Sequence, residues 1–186
     1  MKLSNRYDTI PDYPVMTQEL DSCPDPFWRD IAKGLYYTGA RAGEFVGIKA
    51  KDVFKDEEKP DFLNVRIYTE KNRRQLFRIV PINVRVEPEA LDLFNRHTEG
   101  KAPDDLAFPP LGEWSRDSFL RNMRKAFNAL YGGVAPHYFR HARLTHMILR
   151  FKFSEHELQQ YAGWSNTKPS SIYVHLNIGN LQEKMK

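Results

Sequence analysis

Residues 137–173 read HYFRHARLTHMILRFKFSEHELQQYAGWSNTKPSSIY, and four of them make chemical sense together. His137 and Arg140 are three apart in a stretch that predicts a helix, so both point to one face. Trp164 follows Arg140 by 24 residues (164 − 140), behind Gly163. Tyr173 follows Trp164 by nine (173 − 164), on a short predicted helix that Pro169 opens. A histidine, an arginine, an indole N–H and a phenol aimed at one place suit a phosphodiester. The arginine binds the anion with a planar fork of donors, and the phenol can attack phosphorus. The stretch predicts that Tyr173 is a nucleophile toward nucleic acid.

The spacing H-x-x-R-H, then T-H one turn on, then G-W, then Y-x-H is carried by His137, Arg140, His141, Thr145, His146, Gly163, Trp164, Tyr173 and His175. Upstream, residues 38–53 read TGARAGEFVGIKAKDV and place Arg41 and Glu44 in a T-G-x-R-x-x-E pattern. Together these two boxes resemble the signature of the tyrosine recombinases, the phage-type integrases. The resemblance runs from about 25 to 175, nearly the whole chain, with both boxes in the right order. It implies an α+β fold, mainly α, in which a helical catalytic domain carries one small antiparallel sheet. It also implies cleavage and rejoining of DNA strands through a 3′-phosphotyrosyl link on Tyr173, without metal, ATP or any other cofactor.

Each residue has a chemical reason for its place. Attack on phosphorus builds extra negative charge, which positioned cations stabilise. Arg41 and Arg140 suit that task, because a guanidinium stays charged and binds two oxygens at once. An isolated Arg41 would read as a surface or ion-pair arginine; its pairing with Arg140 and Tyr173 gives it a function. Glu44, three residues after Arg41, reaches back to orient that guanidinium, or else forms a plain helix-surface ion pair. His137 accepts the phenol proton or bonds a phosphate oxygen, and His141 supports it. His137 and His141 are also four apart, a spacing that suits metal binding, but the H-E-x-x-H pattern and a nearby carboxylate trio are missing, so no metal is expected. Trp164 stands where most of the family has histidine; its N–H donates but cannot take a proton.

The departing 5′-oxygen needs a proton. The resemblance assigns this to Lys71 at the tip of a predicted hairpin, although EKNRRQ (residues 70–75) has none of the glycines usual in that turn. Arg73 or Arg74 therefore competes for the position, and an exposed basic hairpin touching the DNA backbone is the other reading. Tyr131, Tyr138 and Tyr161 are near Tyr173 in sequence; Tyr138 is expected in the core and Tyr161 at a helix end.

Composition fits this picture. The 186 residues suffice for one domain with a real core, and 41% of them are hydrophobic. No long apolar run or secretion signal is visible, so no membrane span is expected. One cysteine, Cys23, excludes internal disulfides and points to a reducing, cytoplasmic setting. Net charge is only +4, but its distribution is uneven. Residues 1–30 hold three Lys/Arg against six Asp/Glu, whereas residues 114–152 hold eight Lys/Arg against Asp117 alone. That basic stripe suits a polyanion, and Arg116, Arg121, Arg124, Lys125 and Arg143, with Arg73 and Arg74, are the expected DNA contacts.

Along the chain, residues 1–24 read as an acidic arm with one helical turn after Thr17, and 25–186 as the catalytic domain. Asp25-Pro26 starts a helix that Gly39 ends, and a second helix covers about 42–48. Residues 62–68 and 76–80 alternate as the two strands of a hairpin. Helices follow from Pro88 to about 97, from Ser115 to 131 and from Pro136 to about 151, and Ser154 with Glu157 forms a capping box for the next. The partners expected are double-stranded DNA and further recombinase protomers, four in a synapse. An N-terminal DNA-clamping domain usual in the family has no counterpart in residues 1–24. Two other activities fit the residues less fully: a type IB topoisomerase that relaxes DNA, and a DNA-binding regulator that has lost the chemistry.

Overall fold

The computed structural model describes residues 10–69, 76–165 and 169. Three helices come first: α1 (Tyr13–Asp21), α2 (Pro26–Thr38) and α3 (Ala42–Phe45). A 3-10 turn at Ala50–Asp52 leads to strands β1 (Val53–Lys55), β2 (Phe62–Tyr68) and β3 (Phe77–Asn83). The chain continues through α4 (Pro88–Thr98), α5 (Arg116–Leu130), α6 (His137–Leu149) and α7 (Glu155–Ala162). The result is the mainly helical α+β architecture expected, with the described strands in one antiparallel sheet ordered β1-β2-β3.

Helix α2 is the central post. The Asp25 side chain accepts from the N–H groups of Phe27 and Trp28 at 3.0 and 3.1 Å, and Pro26 fills the first helical position, where no donor is needed. Its Ile31, Leu35 and Tyr36 are buried, and α6, which packs on it, buries Phe139, Ala142 and Ile148. Each such aliphatic side chain contributes about 1.5–3 kcal/mol by leaving water. Gly34 is in the middle of α2, where glycine normally weakens a helix. A Cβ there would lie 2.5 Å from Cζ of Phe45, so the glycine lets α3 close onto α2. That contact brings Arg41 and Glu44 beside the end of α2.

The sheet pairs Leu63, Val65 and Ile67 on its inner face with Ile82, Val80 and Arg78. Tyr68, Phe77 and Ile79 lie on the outer face, exposed. Strand β3 runs three residues beyond the predicted 76–80, through Pro81. Proline is tolerated there because β3 is at the edge among the described strands, where no further ladder calls for an N–H.

Other boundaries differ from expectation. The stretch read as an arm holds the nine-residue α1, not one turn after Thr17, and its Met16 and Leu20 are fully buried in the core. Helix α3 stops at Phe45 instead of about 48, because the next residues leave to pair with the loop at 105–107. There Ala107 N–H donates to the Ile48 carbonyl at 2.8 Å, and Lys49 bridges to Leu106. Strand β1 was not foreseen. Among the described residues, no helix is long and apolar enough to cross a membrane.

Candidate active site

Arg140 is almost fully buried, 1% exposed, at a point where two helices end. Its Nη1 donates to the carbonyl of Gly39, the cap of α2, and its Nη2 to the carbonyl of Ala162 at 2.8 Å, the last residue of α7. Helix C-termini present unpaired carbonyls and the negative end of the dipole, so a cation wedged between two of them is doubly favoured. Gly163, at φ 68°, then turns the chain back in the left-handed conformation that closes α7. That turn lays the Trp164 ring against Arg140, its centroid 5.8 Å from the guanidinium carbon.

Arg41 is two residues beyond Gly39, so the same junction carries the second arginine. Glu44 returns to it twice: it accepts from the Arg41 backbone N–H at 3.0 Å and from Arg41 Nη1 at 2.8 Å. The carboxylate is buried and also accepts from Arg78 Nη2 at 2.9 Å. The Glu44–Arg41 pair is therefore not an exposed helix-surface ion pair. Burial alone would raise the Glu44 pKa, yet the bonds from Arg78 and Arg41 leave it below its ordinary value, so the group is ionised.

His137 begins α6 and opens to solvent. Partial desolvation of its ring, then the charges of Arg140, His141 and Arg41, hold its pKa below the ordinary histidine value. Those three neighbours place His137 in the same field as both arginines. Kept neutral, it is able to accept a proton. His141, half-buried one turn on, is part of that field. Among the described residues, no group of three or more His, Cys, Asp or Glu side chains could hold a metal ion.

The tyrosines near Tyr173 in sequence are committed elsewhere. Tyr161 is buried, donates to the Tyr37 carbonyl at 3.1 Å and accepts from Arg143 Nε at 3.1 Å. Burial raises its pKa, the wrong direction for a nucleophile. Tyr138 is core, and Tyr131 donates to the Leu20 carbonyl at 3.4 Å.

Arg143 departs from its expected role. It is 1% exposed and forms a two-pronged ion pair with Glu87, Nη1 to Oε1 and Nη2 to Oε2, the latter at 2.8 Å. The rings of Tyr36 and Phe151 lie near the guanidinium, their centroids 5.4 and 5.5 Å from its carbon. With both Nη atoms on the Glu87 carboxylate, its charge is neutralised inside the protein, so it belongs to the core and not to the expected DNA contacts. His146, part of the sequence signature, is likewise buried. By contrast Arg116, Arg121, Arg124 and Lys125 are exposed on α5. Arg116 Nη2 donates to the Gly43 carbonyl at 3.2 Å, which docks the start of α5 beside the Arg41 box.

Sequence reasoning missed Arg78. The signal was present: an arginine in phase with Val80 and Ile82, where strand alternation calls for an apolar residue. Lys71, Arg73, Arg74, Tyr173 and His175 lie outside the described residues. Thr69 and Leu76 close the strands on either side of the hairpin tip, with Thr69 N–H and Oγ1 donating to the Leu76 carbonyl at 2.9 and 2.7 Å.

Known proteins share this sequence pattern and fold. The sequence model of the phage integrase family matches residues 13–179. The tyrosine recombinase XerD of Corynebacterium glutamicum is 28% identical over 161 residues, covering 83% of this chain and 50% of that protein. Among solved structures, XerH site-specific recombinase bound to palindromic difH substrate, a post-cleavage complex, matches with TM-score 0.63. Its identity is 17%, over 100% of this chain and 54% of that one. The Tn1549 transposon integrase in complex with circular intermediate DNA matches with TM-score 0.63 at 18% identity, over 100% of this chain and 69% of that one. XerA recombinase matches with TM-score 0.61 at 23% identity, over 95% and 63%. At such identities the likeness to the solved structures is one of fold. The chain spans about half the length of XerD and of XerH.

Proposed function

The chain belongs to the phage integrase family, and from that premise we propose that it cuts and rejoins double-stranded DNA with Tyr173 as nucleophile. One observation carries the reading. Arg140 is fixed between the ends of α2 and α7, so Arg41, His137 and Trp164 share one junction although they are spread over more than a hundred residues.

In the proposed reaction Arg41 and Arg140 hold a non-bridging oxygen pair of the scissile phosphate, and Trp164 donates its indole N–H to the same group. The Tyr173 oxygen forms a bond to phosphorus as the bond to the 5′-oxygen breaks. The neutral His137 ring takes the phenol proton, and the Lys71 ammonium gives one to the departing 5′-oxygen. A 5′-hydroxyl from a partner duplex reverses the sequence on the phosphotyrosyl link, so no metal or nucleotide is consumed. Exchange between duplexes requires more than one protomer on DNA, and four complete a synapse.

The test uses the full chain and a pool of nicked duplexes of random sequence, whose short cleaved strand diffuses away and traps the adduct. Covalent protein–DNA product is expected with the wild type and absent in Tyr173→Phe; sequencing the captured DNA gives the target. An adduct that survives Tyr173→Phe would mean a different nucleophile.

A further inference from the structure

We propose that Arg78 is a positioning residue of the active site: it balances the buried charge of Glu44, which leaves Arg41 a net cation toward the phosphate, and it supports the Gly163–Trp164 turn from below. The inference rests on the strand-cleavage reading given above and names a residue that the two sequence boxes do not contain.

The geometry starts from strand alternation. Arg78 occupies an inward position of β3, opposite Ile67, where its neighbours in phase are Val80 and Ile82. Its side chain is 7% exposed and that of Glu44 is 1%, whereas the Arg41 side chain is 35% exposed. A buried arginine is costly unless all its donors are met. Here Nη2 reaches Glu44, while Nε and Nη1 meet no hydrogen-bond acceptor among the described residues. Its hydrogen bond to Glu44 makes that carboxylate the group on which its charge acts.

Charge counting shows what that is. Arg41 and Glu44 alone sum to zero, and a neutral pair has little pull on a phosphate. With Arg78 the trio sums to +1, and the exposed member is Arg41. The buried carboxylate can then orient Arg41 without cancelling it. The same guanidinium also fills space that only a glycine leaves. A Cβ on Gly163 would lie 2.8 Å from Arg78 Nη1 and 2.9 Å from its Cδ. Arg78 thus touches the first box through Glu44 and the Trp164 turn through Gly163, and it belongs to the hairpin strand itself. Three separate pieces of the site meet on one side chain.

A charge cycle tests this, using single-turnover cleavage at saturating DNA with a duplex recovered from the trapping experiment. Arg78→Met sets the trio to zero and is expected to slow cleavage by about 10–100-fold, with the circular dichroism spectrum unchanged. Adding Glu44→Gln returns the sum to +1, so the double variant should cleave at least roughly threefold faster than Arg78→Met alone. A double variant as slow as the single or slower would show that the charge of the trio does not set the rate. That result overturns the proposal, as does Arg78→Met cleaving within about twofold of wild type. Should Arg78→Met fail to fold, Arg78→Lys keeps the charge. Cleavage within about threefold of wild type then upholds the proposal, and a loss of about tenfold or more in a folded protein overturns it. Wild-type protein that forms no adduct sinks the functional reading itself, a separate outcome.

Discussion

Arg140 and Arg143 are one turn apart on the same helix, and nothing in their local sequence tells them apart. Their partners do. Arg140 is held by two helix-end carbonyls and lies against Trp164; Arg143 is locked to Glu87, a carboxylate 56 residues away in sequence. A long-range partner leaves no periodic trace, which is why the basic stripe between 114 and 152 suggests a DNA contact at Arg143. The role of Arg140 was readable because its spacing to His137, Trp164 and Tyr173 is a chemical pattern. Arg78 was readable only as an exception to strand alternation. The assignment of Arg143 to the core has a measurable consequence. Arg143→Met leaves Glu87 charged and buried without a partner, so urea unfolding should show a loss of about 3–5 kcal/mol. The salt dependence of DNA binding by the folded fraction should not change. A drop in the salt slope with stability intact would return Arg143 to the DNA face.

At the scale of elements, what was legible was what the local chain controls. The Asp25-Pro26 start of α2 and the Ser154–Glu157 box of α7 satisfy their own helix ends, so a few residues suffice to read them. Strand β1 was illegible because three residues in a polar stretch carry no period, and only pairing with β2 makes them a strand. Helix α1 was underestimated because its anchor is distant. His146 of α6 joins it to the core: Nε2–H donates to the Pro11 carbonyl at 2.8 Å, and Nδ1 accepts from the Tyr36 hydroxyl at 2.7 Å. With Nδ1 accepting and Nε2–H donating, the ring is neutral. Burial, with Arg143 and Arg150 nearby, lowers its pKa, outweighing the Pro11 bond and Asp12, which raise it. Above about pH 6.5 the ring is neutral folded or unfolded. As pH falls below that value the unfolded chain takes the proton first, so stability falls until pH passes the lower folded-state value. His137 adds to this in the same direction, whereas the depressed carboxyls of Glu44 and Asp30 act only below about pH 4.5. Melting scans from pH 8 to 5 should therefore descend below 6.5. His146→Leu should flatten that descent and, at pH 8, cost about 1–3 kcal/mol for each polar group it strands. An unchanged descent would show that His146 is not the coupling group.

For the whole molecule, the two halves of the sequence signature are useless apart, and the fold joins them by stacking helix ends. The end of α2 delivers Gly39 and Arg41, the end of α7 delivers Gly163 and Trp164, and the buried Arg140 is the bolt between them. DNA would then lie across a surface whose charge comes from Arg41 and from α5, because Arg78 and Arg143 are buried on Glu44 and Glu87. Arg121, Arg124 and Lys125 are exposed on that helix, and Arg116 ties its start to the Arg41 box. Each phosphate contact releases condensed counterions, so affinity falls steeply with salt, by a log–log slope of about 0.9 for each contact. Replacing Arg121, Arg124 and Lys125 with Gln removes up to three such contacts. The slope measured by fluorescence anisotropy should then decrease by about 2–3, with the cleavage step at saturating DNA largely kept, since none of the three is placed at the junction. A slope that stays at the wild-type value would mean that the DNA crosses another face of the molecule.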